Sequence, residues 1–191
     1  MVLSDVWFIG KTSAAYGGVS FGFSLLGLIL PGAFLVGNPL EVSGVSVEHI
    51  TGHVMWGLAA GIASFSFRYA ILSGLFPLIL DFDHWIQFFG MDMIPRMAHS
   101  ITFGFVAVGV MMMIFRRDLR LGAIAIAAVF SHMSFDIFLT GETKFPLFVP
   151  FATDMVTFGG NYWMLFEGLA VGIIFVASAI VLRRRKIRIS G

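Results

Sequence analysis

Residues 121–139 read LGAIAIAAVFSHMSFDIFL, and only His132 and Asp136 among them carry ionisable side chains. A helix that crosses a bilayer needs about 20 mostly apolar residues, so this stretch has the length and character of a span. Five further windows resemble it: Gly17 to Val36, Ile50 to Leu72, Gly74 to Gly90, Met97 to Phe115 and Tyr162 to Leu182. Gly74 to Gly90 is short and contains Asp81, Asp83 and His84. The breaks between windows fall at Gly37-Asn38-Pro39, at a tight turn over Ser73-Gly74, at the charged hairpin Arg116 to Arg120, and at Gly159-Gly160-Asn161.

Composition agrees with this pattern. The 191 residues are 58% hydrophobic and only 12% charged, against roughly 25% charged in an ordinary soluble domain. The mean hydropathy is +0.93. The expected fold is therefore all-α: a polytopic membrane helix bundle of about six transmembrane helices, forming a single integral membrane domain over residues 1–191. No linker divides it, and no internal repeat or low-complexity segment is visible. Lys11 is followed by an apolar stretch without a clear small-residue cleavage site, so the first span is expected to be retained. The run Met111-Met112-Met113 reads as packing or lipid-facing filler.

The basic residues orient the bundle. With a cytoplasmic N-terminus, six spans place Lys11, Arg68, Arg116, Arg117, Arg120, Arg183, Arg184, Arg185, Lys186 and Arg188 inside, and only Arg96 and Lys144 outside. Both termini are then cytoplasmic, in the plasma or inner membrane. The Arg183 to Lys186 tail reads as an orientation anchor. A net charge of +1 gives no reason to expect nucleic acid as a partner.

Ionisable groups within a bilayer are costly and mark function. Here they are Asp81, Asp83, His84, His132, Asp136 and Glu167, with His53 and His99 near span ends. On the six-span topology all lie at mid-to-outer depth, although none was used to derive it. His132 and Asp136 are four apart and share a helix face; Asp81 and His84 are three apart and do likewise. On a regular helix Asp83 points away from Asp81, so either one aspartate alone is a ligand or the helix unwinds there. His49 is four residues before His53 but is expected outside the span. Clustered carboxylates with so few basic residues at their depth need a cation. The chain has no cysteine, so a metal would be held by imidazole and carboxylate, a set that suits zinc, manganese or iron.

These motifs resemble the membrane-bound metal-dependent hydrolases, a group also described as LexA-binding, inner-membrane-associated hydrolases. The likeness rests on Gly52-His53 before Gly57 to Gly61, Asp81-Phe82-Asp83-His84, Ala98-His99-Ser100, and His132-Met133-Ser134-Phe135-Asp136 with Gly141 and Pro150-Phe151. It covers roughly residues 50 to 151. The chain departs from the family pattern at Leu80, Ile94 and Ala98, where that pattern has proline, histidine and threonine. The histidine-x-x-x-aspartate pair is also similar to one in zinc-dependent phospholipases C.

The resemblance implies His53, Asp83, His84, His99, His132 and Asp136 as ligands of a divalent metal, zinc or manganese, with Asp136 the bridging candidate. Asp81 would orient His84 or bind metal itself. Glu167 would be a general base or replace the missing histidine. Arg96 reads as an interface anchor, with phosphate binding as its alternative. The expected function is hydrolysis of an ester or phosphodiester of a lipid or headgroup at the extracytoplasmic side. The rival expectations are a non-catalytic metal-binding subunit of a larger membrane complex, with a membrane protein or a second copy as partner, and an ion or metal transporter, for which no inverted repeat is visible.

Overall fold

The structure, a computed structural model, describes residues 3–30, 35–36, 46–84 and 94–190. Among these residues it is an all-α bundle of six helices: α1 Leu3–Leu25, α2 Val47–Gly61, α3 Phe67–Leu80, α4 Ile101–Ile114, α5 Leu119–Thr140 and α6 Tyr162–Ser190. Two short antiparallel pairs accompany them. β1 (Leu35–Val36) pairs with β2 (Ile94–Pro95), and β3 (Glu142–Phe145) pairs with β4 (Val156–Gly159) in a hairpin between α5 and α6. The windows for spans did not foresee this hairpin, because hydropathy averages hide strands of four residues.

The helices alternate in direction. Lys11 of α1 lies 5.7 Å from the Phe115 ring beyond the end of α4, and Arg68 at the start of α3 lies 4.6 Å from the Phe8 ring of α1. Tyr69 donates a hydrogen bond to Asp118, which caps α5 by accepting from the Arg120 and Leu121 amides. These contacts form one basic end of the bundle. At the opposite end Ser24 of α1 accepts from the Ala98 amide, and the Trp56 indole of α2 donates to Ser134 of α5, which donates in turn to the Trp163 carbonyl of α6.

Helix α5 is the axis, buried from Arg120 to Ile137. Tyr16 of α1 stacks on Phe76 of α3 at 4.0 Å and donates to the Ala125 carbonyl of α5. Helix α2 approaches α3 so closely that a Cβ on Gly57 would lie 2.0 Å from the Ser73 carbonyl oxygen. Pro77 explains why that carbonyl is free, since a proline supplies no N–H to the carbonyl four residues back.

Several expected boundaries move. The first window, Gly17 to Val36, is displaced: α1 begins at Leu3, and residues 31–34 lie outside the described ones. The Ile50 to Leu72 window holds two elements. Helix α2 ends in a 3₁₀ turn at Ile62–Ser64, the chain reverses at Phe65 with φ of 53°, and α3 starts after Ser66. Ser73-Gly74 is therefore no turn but the interior of α3, where Gly74 packs against Leu58. Hydropathy missed this because the true break carries a phenylalanine, while the glycine serves close helix packing. The 85–90 part of the third window lies outside the described residues, as does the break at 37–39. Helix α6 continues past Leu182 through the basic tail.

Among the described residues, two helices are long and apolar enough to cross a membrane, α5 and the 162–187 part of α6. Helices α2, α3 and α4 have 15, 14 and 14 residues; α1 has the length but is interrupted by polar side chains. The alternating bundle stands on contacts, whereas length and composition support two spans and not the six expected.

Gly57→Val should cost about 1–3 kcal/mol through overpacking against the Ser73 carbonyl, read as a lower unfolding midpoint of the purified protein in detergent. Gly18→Val on α1, where a Cβ meets open space, should leave that midpoint nearly unchanged.

Candidate metal centre

Three helix ends and one helix face build the site. Ser46 caps α2 by accepting from the His49 amide, which sets His49 in its first turn and His53 one turn further. After Leu80, helix α3 tightens to 3₁₀ geometry over residues 81–84, and the Asp81 amide bonds to the Leu78 and Ile79 carbonyls. This tightening answers the question of Asp81 and Asp83: away from ideal α geometry both aspartates and His84 face one another. It also leaves the Pro77 carbonyl to accept from Nδ1 of His132 at 3.0 Å. That bond fixes the imidazole so that Nε2 carries the lone pair facing the cluster. His99 ends a 3₁₀ turn, Met97–His99, held by Ser100, which donates to the Met97 carbonyl and caps α4 through the Phe103 amide.

All five histidines of the chain meet here. Asp81 is the hub. Its Oδ2 lies 3.2 Å from Nε2 of His49 and 3.4 Å from Nε2 of His53. Its Oδ1 lies 3.5 Å from Nε2 of both His84 and His99, and 3.7 Å from Nε2 of His132 and from Arg96 Nη2. Asp136 sits across from it, with Oδ1 3.3 Å from His53 Nε2 and Oδ2 3.3 Å from His132 Nε2. Asp83 Oδ2 is 3.4 Å from His99 Nδ1, and its Oδ1 is 3.9 Å from His84 Nε2. The rings of His53 and His132 stack at 4.0 Å, nearly parallel.

Three sets of donor atoms are close enough to hold an ion: His49, His53 and Asp136; His53, Asp81 and His132; and Asp81, Asp83 and His84. The sets overlap through His53 and Asp81. Nine buried side-chain atoms of the cluster lack a hydrogen-bond partner: His53 Nδ1, Asp81 Oδ1, both Asp83 oxygens, both His84 nitrogens, His99 Nδ1, His132 Nε2 and Asp136 Oδ1. A buried polar atom left unpaired costs about 1–3 kcal/mol, so this many in one place fits a site for a cation. Imidazole and carboxylate are donors that a divalent metal accepts.

The sequence-based candidates divide as follows. His53, Asp81, Asp83, His84, His132 and Asp136 fall within the donor sets. His99 joins the cluster, but its Nε2 accepts from Arg96 Nη2 at 2.6 Å and it belongs to none of the three sets. His49, expected outside, is buried and in direct contact; its spacing of four from His53 was the signal. Asp81, expected as a partner of His84, touches every histidine. Glu167 belongs to none of the sets; its carboxylate lies beside Ser131 of α5, and both oxygens are buried without a hydrogen-bond partner.

Asp81→Asn should weaken binding of zinc or manganese by at least about 100-fold, measured by titration calorimetry on the purified protein. Glu167→Gln should leave that affinity within about threefold of the unaltered protein, since Glu167 belongs to none of the donor sets and changes at sites that share no partners act independently. Comparison of the chain with models of protein families, with curated proteins and with solved structures finds no match.

Proposed function

We propose that the chain is a multi-pass protein of the inner membrane and a metal-dependent hydrolase, like the family its motifs resemble, cleaving an ester or phosphodiester of a lipid or its headgroup on the extracytoplasmic side. The observation that carries this reading is the convergence of five histidines and three aspartates from four segments on one buried cluster centred on Asp81. The metal is divalent, zinc or manganese. Bound there, it would lower the pKa of a water ligand and supply hydroxide near neutral pH.

The protein's own groups have separable tasks in this reading. His132, aligned by the Pro77 carbonyl, and Asp136 hold one side of the site. His49 and His53, one helical turn apart, hold the flank next to Asp136. Asp83 and His84 hold the far side. Asp81, within reach of every imidazole, would bind the metal itself or orient His84. Glu167, the sequence-based candidate for the general base, belongs to none of the donor sets.

The membrane placement draws on the surface. Helix α6 presents Leu165, Leu169, Phe175, Val176 and Ile180 outward, and α4 presents Phe105 and Met113. Apolar faces of this extent suit lipid better than water. The contacts of Lys11, Arg68 and Arg120 gather positive charge at the end of the bundle away from the histidines. Helix α3 alone separates the two ends by about 20 Å at 1.5 Å per residue. With basic residues inside, both termini are cytoplasmic and the cluster opens outward. The shorter helices α2, α3 and α4 complete their crossings with the 3₁₀ turns that adjoin them.

Ile94, where the family pattern has histidine, favours the second reading, a metal-binding subunit without turnover. Purified protein loaded with zinc or manganese should hydrolyse a chromogenic phosphodiester or ester; a chelator should abolish the activity, and His132→Ala should lower it at least about 100-fold. Metal without turnover on either substrate supports the subunit, and protein that takes up no metal overturns both readings. Because the chain lacks cysteine, single cysteines report topology directly. An impermeant maleimide should label Thr143→Cys in intact cells and should label Ser66→Cys only after lysis.

A further inference from the structure

Beside the cluster lies a cavity of about 390 Å³. One wall is made by His49, His99 and Asp136, and another by β3 with Pro146 and Met155 of the loop that follows it. The wall also carries Arg96 and Lys144. These are the only two basic residues that the alternating topology puts at the histidine end, and they arrive from different parts of the chain, one before α4 and one on β3. Two charges that are sparse at this end thus face one space.

Arg96 is engaged by the cluster through one nitrogen. Its Nη2 donates to His99 Nε2 and lies 3.7 Å from Asp81 Oδ1. Its Nε is buried without a partner. A guanidinium has N–H donors in a planar fork that matches two oxygens of a phosphoryl group, and the unpartnered Nε is a donor that a ligand can take. Thr140 and Thr143 add hydroxyls to the same wall. Two carboxylates share the wall, Asp136 and Glu142. Asp136 is engaged by His53 and His132, which leaves Glu142 alone against two cations. An anionic phosphoryl group would neutralise the remaining charge beside the metal donors, where a neutral carboxylic ester would not.

We infer that the cavity under the β3–β4 hairpin binds a phosphoryl group, with Arg96 fixing the anion next to the metal donors and Lys144 closing over it. This rests on the metal-hydrolase reading and narrows its substrate class to phosphoesters. Arg96 and Lys144 are specificity-determining residues of that site. The phosphoryl group comes from a phospholipid headgroup or from a free phosphoester, two sources that share one chemistry.

The test uses the full chain in detergent with manganese bound, and reads the broadening of the phosphorus resonance of added inorganic phosphate together with manganese stoichiometry. The unaltered protein should broaden the resonance. Arg96→Gln and Lys144→Gln should each keep full manganese stoichiometry and weaken phosphate binding by about tenfold or more, the loss expected for one charge-assisted contact. Arg96→Lys should recover part of the loss. Titration with glycerophosphate, and with nanodiscs containing either phosphatidylglycerol or a phosphate-free glycolipid, separates the sources. Competition by glycerophosphate alone assigns a free phosphoester, and competition by phosphatidylglycerol nanodiscs assigns a lipid.

Unchanged phosphate binding in both glutamine variants overturns the anion site and leaves the metal centre standing. Loss of manganese in Arg96→Gln also overturns it, because Arg96 then serves the cluster and not a ligand. Failure of the unaltered protein to bind manganese or zinc overturns the metal reading, and the anion site with it.

Discussion

The buried carboxylate of Asp81 is the constraint on which the rest of the structure depends. An ionised group out of water is costly unless opposing partners surround it. Asp81 meets that demand with imidazoles from α2, from its own turn, from the turn before α4 and from α5, together with one guanidinium. Asp83 and Asp136 repeat the demand on either side, and each draws on the same histidines. One shared set of donors therefore ties four segments into a single centre. None of the four can shift alone without exposing a charge to an apolar interior.

The fold supplies the geometry through small local departures from ideal helix. Pro77 leaves one carbonyl free against α2, and the tightened turn that follows leaves another free for His132. Serines end the chain segments on either side: Ser46 starts α2 beside His49, and Ser100 starts α4 beside His99. The chain places its irregular backbone where ligands are needed. Regular, glycine-studded helix packing is kept for the middle of the bundle, and Lys11, Arg68 and Arg120 sit at the far end.

Much of the site was legible from residue type and depth. His132 and Asp136 sit on a long apolar run, so their polarity stands out and their spacing gives their shared face. The Asp81 to His84 run was equally visible, but its backbone was not. A helix-wheel argument sends Asp83 away from Asp81, and only the tightening over residues 81–84 reconciles them. His49 was discounted because a hydropathy window begins where apolar residues begin, whereas a capped helix begins at its serine. Glu167 lies beside Ser131 and belongs to none of the donor sets, and no periodicity argument fixes the rotation of one helix against another. The break at Phe65 and the continuous helix through Ser73-Gly74 show the same limit. Glycine marks both turns and close packing, and hydropathy does not distinguish them.

The ring of Phe135 bears on more than packing. It lies 4.8 Å from the His53 ring and 6.2 Å from that of His49, and it fits only because position 52 has no side chain, where a Cβ would fall 1.8 Å from the ring. Glycine and phenylalanine together form a gasket on the outer flank of the two imidazoles, with Trp56 backing it at 5.5 Å. The Phe135 ring thereby closes one flank of both imidazoles with aromatic carbon, while His49 faces the cavity lined by β3.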